Sequence, residues 1–195
     1  MFYWRHGDVT PRAYVCIMAV LQNTMAWVSS KDHRLMVRVN HWRPPKYLRM
    51  WMLASTRCGD GGLWYALALA VALYGGPQRF HALLAATLAV AAGVALFLEL
   101  KRAFKRKRPC ALEPHCWAEL LPPDQFSFPS GHTITAFAVA VSLAGFYPEL
   151  SPGLFFCAIS IAASRVVLGM HFLSDVLAGA ALGATLGALA TALVI

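Results

Sequence analysis

Acidic residues are scarce in this chain: nine Asp and Glu stand against 17 Lys and Arg in 195 residues. The nine (Asp8, Asp32, Asp60, Glu99, Glu113, Glu119, Asp124, Glu149 and Asp175) form no tight group along the sequence. A two-metal hydrolytic centre needs several converging carboxylates, so that chemistry is argued against. Charge of either sign is sparse, at 13% of residues, where a typical soluble domain carries roughly a quarter. With 58% hydrophobic residues and a mean hydropathy of +0.55, disorder is excluded and a small soluble enzyme is argued against. A 21.3 kDa globule has too little interior to hide that much apolar surface, which points to a membrane domain. Cysteines in paired short spacing are lacking too. Cys16, Cys58, Cys110, Cys116 and Cys157 are scattered, and Cys110, His115 and Cys116 want a fourth ligand, which sets a zinc site aside. No small-x-small site closes the first apolar stretch, so no cleaved signal peptide is expected. The surplus of +8 leaves three partners open: nucleic acid, anionic lipid and a phosphate-bearing substrate.

What is present is a series of apolar stretches near the ~20 residues that a helix needs to cross a hydrocarbon core of about 30 Å. They run over Phe80–Leu100, Thr133–Tyr147, Leu154–Met170 and Val176–Ile195, with a shorter one at Leu63–Tyr74. The pattern predicts an all-α, polytopic membrane bundle of five transmembrane helices, or six if Ala13–Val28 also crosses. Gln22, Asn23 and Thr24 interrupt that sixth stretch. Residues 1–58 read as a basic amphipathic arm, interfacial or partly spanning, because Arg34, Arg38, Arg43, Lys46 and Arg49 alternate with apolar side chains. Pro44 and Pro45 break the arm in two. Residues 59–195 form the membrane-integral domain. In the last stretch, Gly179, Gly183 and Gly187 repeat every four residues, a smooth face for close helix packing, within the chain or between copies.

Polar residues in so apolar a chain are functional candidates, and they gather in three places. Lys101 to Arg108 follows the Phe80–Leu100 span; if the helix continues, Lys101 and Arg108 share a face two turns apart. Pro129-Ser130-Gly131-His132 opens the next span, where helix N–H groups and a glycine that lets an anion approach make a phosphate site. Ser164-Arg165, His171 and Asp175 straddle the last turn, with the carboxylate four residues after the imidazole and placed to orient it. Alone, the three read equally well as a basic membrane flank, a helix cap and a His–Asp cap. Chain parity across five spans puts all three at one membrane face. Many donors, two imidazoles and one carboxylate in one place suit phosphate, with a nucleophile and an acid beside it.

Lys-x6-Arg-Pro, Pro-Ser-Gly-His and Ser-Arg-x5-His-x3-Asp together resemble the type-2 phosphatidic-acid phosphatase superfamily, which includes bacterial acid phosphatases and vanadium haloperoxidases. The motifs cover residues 101–175. The resemblance implies that His171 attacks phosphorus to form a phosphohistidine, that Asp175 orients it, and that His132 protonates the leaving oxygen and then helps activate water. It implies that Lys101, Arg108, Ser130, Gly131 and Arg165 hold the phosphate oxygens, and it implies no metal and no cofactor. Soluble members of the superfamily need no shell of spanning helices. The expected substrate is therefore a lipid phosphate: phosphatidic acid, phosphatidylglycerol phosphate or an isoprenoid diphosphate. Alternatives are a lipid-to-lipid phosphotransferase working through the same phosphohistidine, a non-catalytic membrane scaffold and a haloperoxidase. The expected partners are that lipid and the bilayer, not nucleic acid, in a multi-pass protein of the cell membrane, the bacterial inner membrane. With five spans every basic residue but Arg79 shares the site's face, which leans the site toward the cytoplasm. Trp117, Phe126 and Phe128 are candidates for a lid or membrane-contacting rim.

Overall fold

A computed structural model describes the backbone of residues 12–42, 44–112 and 125–195, and side chains from residue 27 onward. The described residues are helical apart from turns and one isolated antiparallel bridge, Lys107 with Phe126. Among the described residues eight α-helices follow one another: α1 (Arg12–His41), α2 (Lys46–Cys58), α3 (Gly62–Tyr74), α4 (Arg79–Phe104), α5 (Pro109–Leu112), α6 (Gly131–Phe146), α7 (Ser151–Val167) and α8 (Leu173–Val194). Prolines set several boundaries. Pro45 sits at the N-cap of α2, and Pro152 sits in the first turn of α7, where its missing N–H has no intrahelical acceptor to lose.

The helix containing α4, the one containing α7, and α8 are long and apolar enough to cross a membrane; α3 and α6 are apolar but shorter. Only 22% of the most apolar 18 residues of the helix containing α4 is buried within the protein, and 28% of those of α8, so most of their hydrophobic side chains face outward, as lipid contact requires. Leu84, Leu88, Leu98, Leu177, Leu189 and Leu193 are among those exposed. Gln22, Asn23 and Thr24 do not end α1: they interrupt the apolar run but not the backbone, which continues for 30 residues. α1 is not among the helices apolar enough to span.

α6 is the central helix and packs against α4, α7 and α8. At 16 residues and ~1.5 Å each it is about 24 Å long, and it buries eight residues, most of them Ala, Ser or Thr. Small side chains let its neighbours come close. The glycines of α8 meet α6 of the same chain: a Cβ at Gly179 would lie 2.8 Å from the Ser130 carbonyl oxygen, one at Gly183 2.3 Å from that of Ile134, and one at Gly187 2.8 Å from that of Ala138. This packing holds the starts of α6 and α8 together, and the Ser130 N–H donates to the Asp175 carbonyl at 3.1 Å. The arm is not a detached surface layer. α2 packs on α7, and α1 touches α7 and α8.

Candidate active site

α4 ends short of Arg108. Lys105 adopts a left-handed conformation (φ 45°) and donates its N–H to the Lys101 carbonyl, which stops the helix at Phe104. The condition for Lys101 and Arg108 to share a helix face, a helix that continues to Arg108, is therefore not met. Lys101 is buried in the last turn of α4, its Nζ 4.3 Å from the Phe97 ring centroid. The chain then runs extended and pairs with the segment before α6: Lys107 bridges Phe126, and the Ser127 N–H donates to the Arg106 carbonyl at 2.7 Å. Alternation along the extended stretch separates Arg106 from Lys107 and brings buried Arg108 inward. Arg108 Nη1 donates to the Met170 carbonyl at 2.8 Å and lies 3.1 Å from His171 Nε2.

His171 sits on the turn between α7 and α8. Gly169, at φ 67°, takes a conformation that a side chain resists, and the Met170 and His171 N–H groups both donate to the Arg165 carbonyl. The imidazole is 3% exposed. Its Nδ1 lies 2.6 Å from the Ser127 carbonyl, which fixes the proton on Nδ1 and leaves the Nε2 lone pair facing Arg108. Burial pushes its pKa down to about 4, and Arg108 and Arg165 push the same way. The imidazole is thus neutral, its unprotonated Nε2 accepting from Arg108 Nη1.

Asp175 was expected to orient His171 directly. Its Oδ2 lies 3.7 Å from Nδ1, beyond hydrogen-bond range, and instead accepts the Phe172 N–H at 2.9 Å as part of the cap of α8. The helix start claims the carboxylate, and the Ser127 carbonyl takes the orienting bond. Asp175 remains a fully buried charge beside the imidazole.

Ser130 is the buried N-cap of α6, its hydroxyl accepting from Thr133 Oγ1 at 2.9 Å. The N–H groups that open this helix, Gly131 first, have no intrahelical acceptor. A Cβ at Gly131 would stand 2.8 Å from the Phe97 ring, so the missing side chain makes room for Phe97, where the sequence suggested room for an anion. His132 Nε2 lies 2.7 Å from Asp60 Oδ1. Together with Gly59, Gly93, Phe97, Gly131 and Thr135 they line a cavity of about 270 Å³ that opens between α4 and α6. Arg165, buried at the end of α7, donates through Nη1 to Thr56 Oγ1 of α2 at 2.5 Å. Arg108 and Arg165 both act electrostatically on both imidazoles, so the second and third clusters and Arg108 of the first converge on one spot.

Four participants escaped the sequence reading. Ser127 acts through its backbone, and Thr56, Asp60 and Asp32 lie in stretches with no motif. Asp32 and Asp60 were counted among ungrouped acids, yet folding brings both to this end of the bundle. Among the described residues, no three His, Cys, Asp or Glu gather in a way that could hold a metal ion. Phe128 packs on the exposed Phe104 at 4.9 Å between centroids, and Trp117, His115 and Cys116 lie outside the described residues.

Residues 80–195 match the PAP2 superfamily. The chain is 35% identical over 131 residues to a decaprenylphosphoryl-5-phosphoribose phosphatase of Mycobacterium tuberculosis, covering 65% of this chain and 68% of that one. It is 37% identical over 89 residues to a lipid A 1-phosphatase of Rhizobium johnstonii, covering 44% of this chain and 36% of that one. Among solved structures, the phosphatidylglycerolphosphate phosphatase of Bacillus subtilis superposes with a TM-score of 0.69 at 27% identity, covering 93% of this chain and 92% of that one. Aquifex aeolicus LpxE gives 0.69 at 29% identity, covering 80% and 92%.

Proposed function

The chain belongs to the PAP2 superfamily and is a phosphoric ester hydrolase built as a multi-pass membrane protein, and from that premise we propose that it removes phosphate from a membrane lipid through a phosphohistidine intermediate. The carrying observation is the His171 imidazole, buried, neutral, and held by Ser127 on one nitrogen with the other facing Arg108. Nε2 of His171 attacks phosphorus; the bond to the leaving oxygen breaks, and His132 gives that oxygen its proton. Water then attacks phosphorus, His132 takes the proton back, and the P–N bond breaks to release phosphate and neutral His171. Lys101, Arg108, Arg165, Ser130 and the Gly131 N–H stabilise the spread charge of the transferring group, which is most of the catalysis such a reaction requires. Asp175 offsets the positive charge that develops on His171. No step draws on a metal.

The site lies at the ends of apolar helices, where a lipid head group would reach it with its tails still in the bilayer. The substrate class is a lipid phosphomonoester or diphosphate, and the basic surplus on that side favours the cytoplasmic face of the cell membrane. The test is release of inorganic phosphate by purified protein in chelator-treated detergent micelles, over phosphatidic acid, phosphatidylglycerol phosphate and isoprenyl diphosphates. Release from at least one is expected; a requirement for a divalent metal overturns the mechanism. Labelled phosphoryl groups appearing in a second lipid rather than in free phosphate would make the protein a phosphotransferase.

Asp60 supplies a further prediction. Burial and the Arg165 charge push the His132 imidazole's pKa down, and the Asp60 carboxylate opposes them, favouring the protonated form that serves the leaving group. Asp60→Asn keeps a hydrogen-bond acceptor without the charge, and kcat is expected to fall about 10-fold with little change in KM. An unchanged kcat would reduce Asp60 to a surface partner.

A further inference from the structure

The mechanism above leaves Arg106 unused, yet its guanidinium is one of the most fully engaged side chains near the site. Nη1 donates to Asp175 Oδ1 at 2.6 Å and to Ser174 Oγ at 2.7 Å. Nη2 donates to Asp32 Oδ2 at 2.8 Å, and the guanidinium carbon lies 4.2 Å from the Phe172 ring centroid. Asp32 comes from α1, in the arm that precedes the stretch matching the superfamily. It is 6% exposed, and an interfacial amphipathic helix has no reason to bury a carboxylate unless something receives it. Here the receiver is the start of α8. Asp32 Oδ1 accepts the Ser174 N–H at 3.2 Å, and Oδ2 accepts the Ser174 hydroxyl. One planar cation thus joins two carboxylates: Asp32 of the arm, and Asp175, which lies beside the reacting imidazole.

We propose that Arg106 and Asp32 form a clasp that positions the His171–Asp175 pair, which makes the N-terminal arm a working part of the active site; this rests on the phosphatase reading. The reason is geometric. Asp175 is fully buried, with Oδ2 fixed by the Phe172 N–H and Oδ1 fixed by Arg106. Without Arg106 a buried carboxylate loses its counter-charge, and the turn carrying His171 and Phe172 must rearrange around it. Without Asp32 the guanidinium loses the partner that sets its second nitrogen. Lysine offers one point charge where the site uses a fork, so it substitutes poorly for Arg106. Arg106 and Asp32 are positioning residues, acting through Asp175.

The test compares wild type with Arg106→Met, Asp32→Asn and the double variant, together with Arg106→Lys and Asp32→Glu in case the first set does not fold. Two probes are titrated by thermal shift in detergent: orthovanadate, whose five-coordinate adduct with an imidazole mimics the transition state, and inorganic phosphate, which does not. A misplaced His171 loses transition-state binding while ground-state binding survives. Arg106→Met and Asp32→Asn are expected to lower kcat about 10- to 100-fold with KM held within about twofold. Vanadate affinity should fall in parallel and phosphate affinity should hold. The double variant should be no worse than Arg106→Met, because both residues serve one contact network. The lysine and glutamate variants should lose less in the same direction. Folded variants with wild-type kcat and vanadate affinity overturn the clasp, and so does an equal loss for vanadate and phosphate, which would mark anchorage alone. Wild-type protein that neither hydrolyses a lipid phosphate nor binds vanadate strikes the phosphatase reading and the clasp with it; wild-type protein that does both, with variants that match it, strikes the clasp alone.

Discussion

Phosphate release is expected to fall at least about 1,000-fold when His171 is replaced by alanine, because the variant keeps the cationic cradle but has no nitrogen to receive the phosphoryl group. Substrate binding should survive, so KM is expected to change far less than kcat. The pH dependence gives a second signature. Burial and two arginines hold the imidazole's pKa near 4 rather than 6.5, so the wild-type rate should not fall on acidification until well below the pH at which an ordinary histidine is protonated. The stability sign follows from the same shift. Between pH 6.5 and about 4 the unfolded chain takes up a proton at this residue that the folded chain refuses, so wild-type stability declines as pH falls through that window. His171→Ala should lack that part of the decline. Kinetics over pH 4 to 8 and melting in detergent over the same range check both statements; full activity in the alanine variant would end the covalent mechanism.

The second large effect is expected far from the chemistry. At Gly183 a Cβ would lie 2.3 Å from the Ile134 carbonyl oxygen and 3.1 Å from the Ala138 N, both backbone atoms of α6 that no rotamer change can move. Gly183→Ala is expected to cost about 1–3 kcal/mol or more, and Gly183→Leu to leave no monodisperse folded protein. Gly153→Ala is the control, since a Cβ there meets nothing within 4 Å, and a helical glycine replaced by alanine gains rather than loses. Size-exclusion profiles and melting temperatures in detergent separate the cases. Activity should go with folding at Gly183, because α6 carries His132 while α8 starts beside His171 and carries Asp175, and the Ser130 N–H to Asp175 carbonyl bond ties the two starts together. A Gly183→Leu protein that folds and melts like wild type would mean that the two helices do not meet as described.

Much of the bundle was legible because membrane helices declare themselves in one dimension. The apolar runs at 80–100, 133–147, 154–170 and 176–195 each overlap a helix, and the glycine repeat of α8 named the face that meets α6. Local backbone geometry was not legible. Nothing about Lys105 in a basic run announces a left-handed residue, so the sequence leaves open whether the helix continues to Arg108, and it stops at Phe104. The i to i+4 spacing places the Asp175 carboxylate near His171, but the spacing cannot say which acceptor wins when a backbone carbonyl from 44 residues away lies nearer.

The division between the two sources of information follows from range. Hydropathy and the three motifs depend on residues close in sequence; by themselves they determined an all-helical membrane chain, and they pointed to a cationic, two-histidine phosphate site at one end. Tertiary structure decided who serves those histidines. Asp60 reaches His132 and Ser127 reaches His171; Thr56 holds Arg165, and Asp32 meets Arg106 across 74 positions. Each of these pairings joins segments that carry no shared pattern, and a buried charge or imidazole takes whichever donor or acceptor the packing of helices leaves beside it.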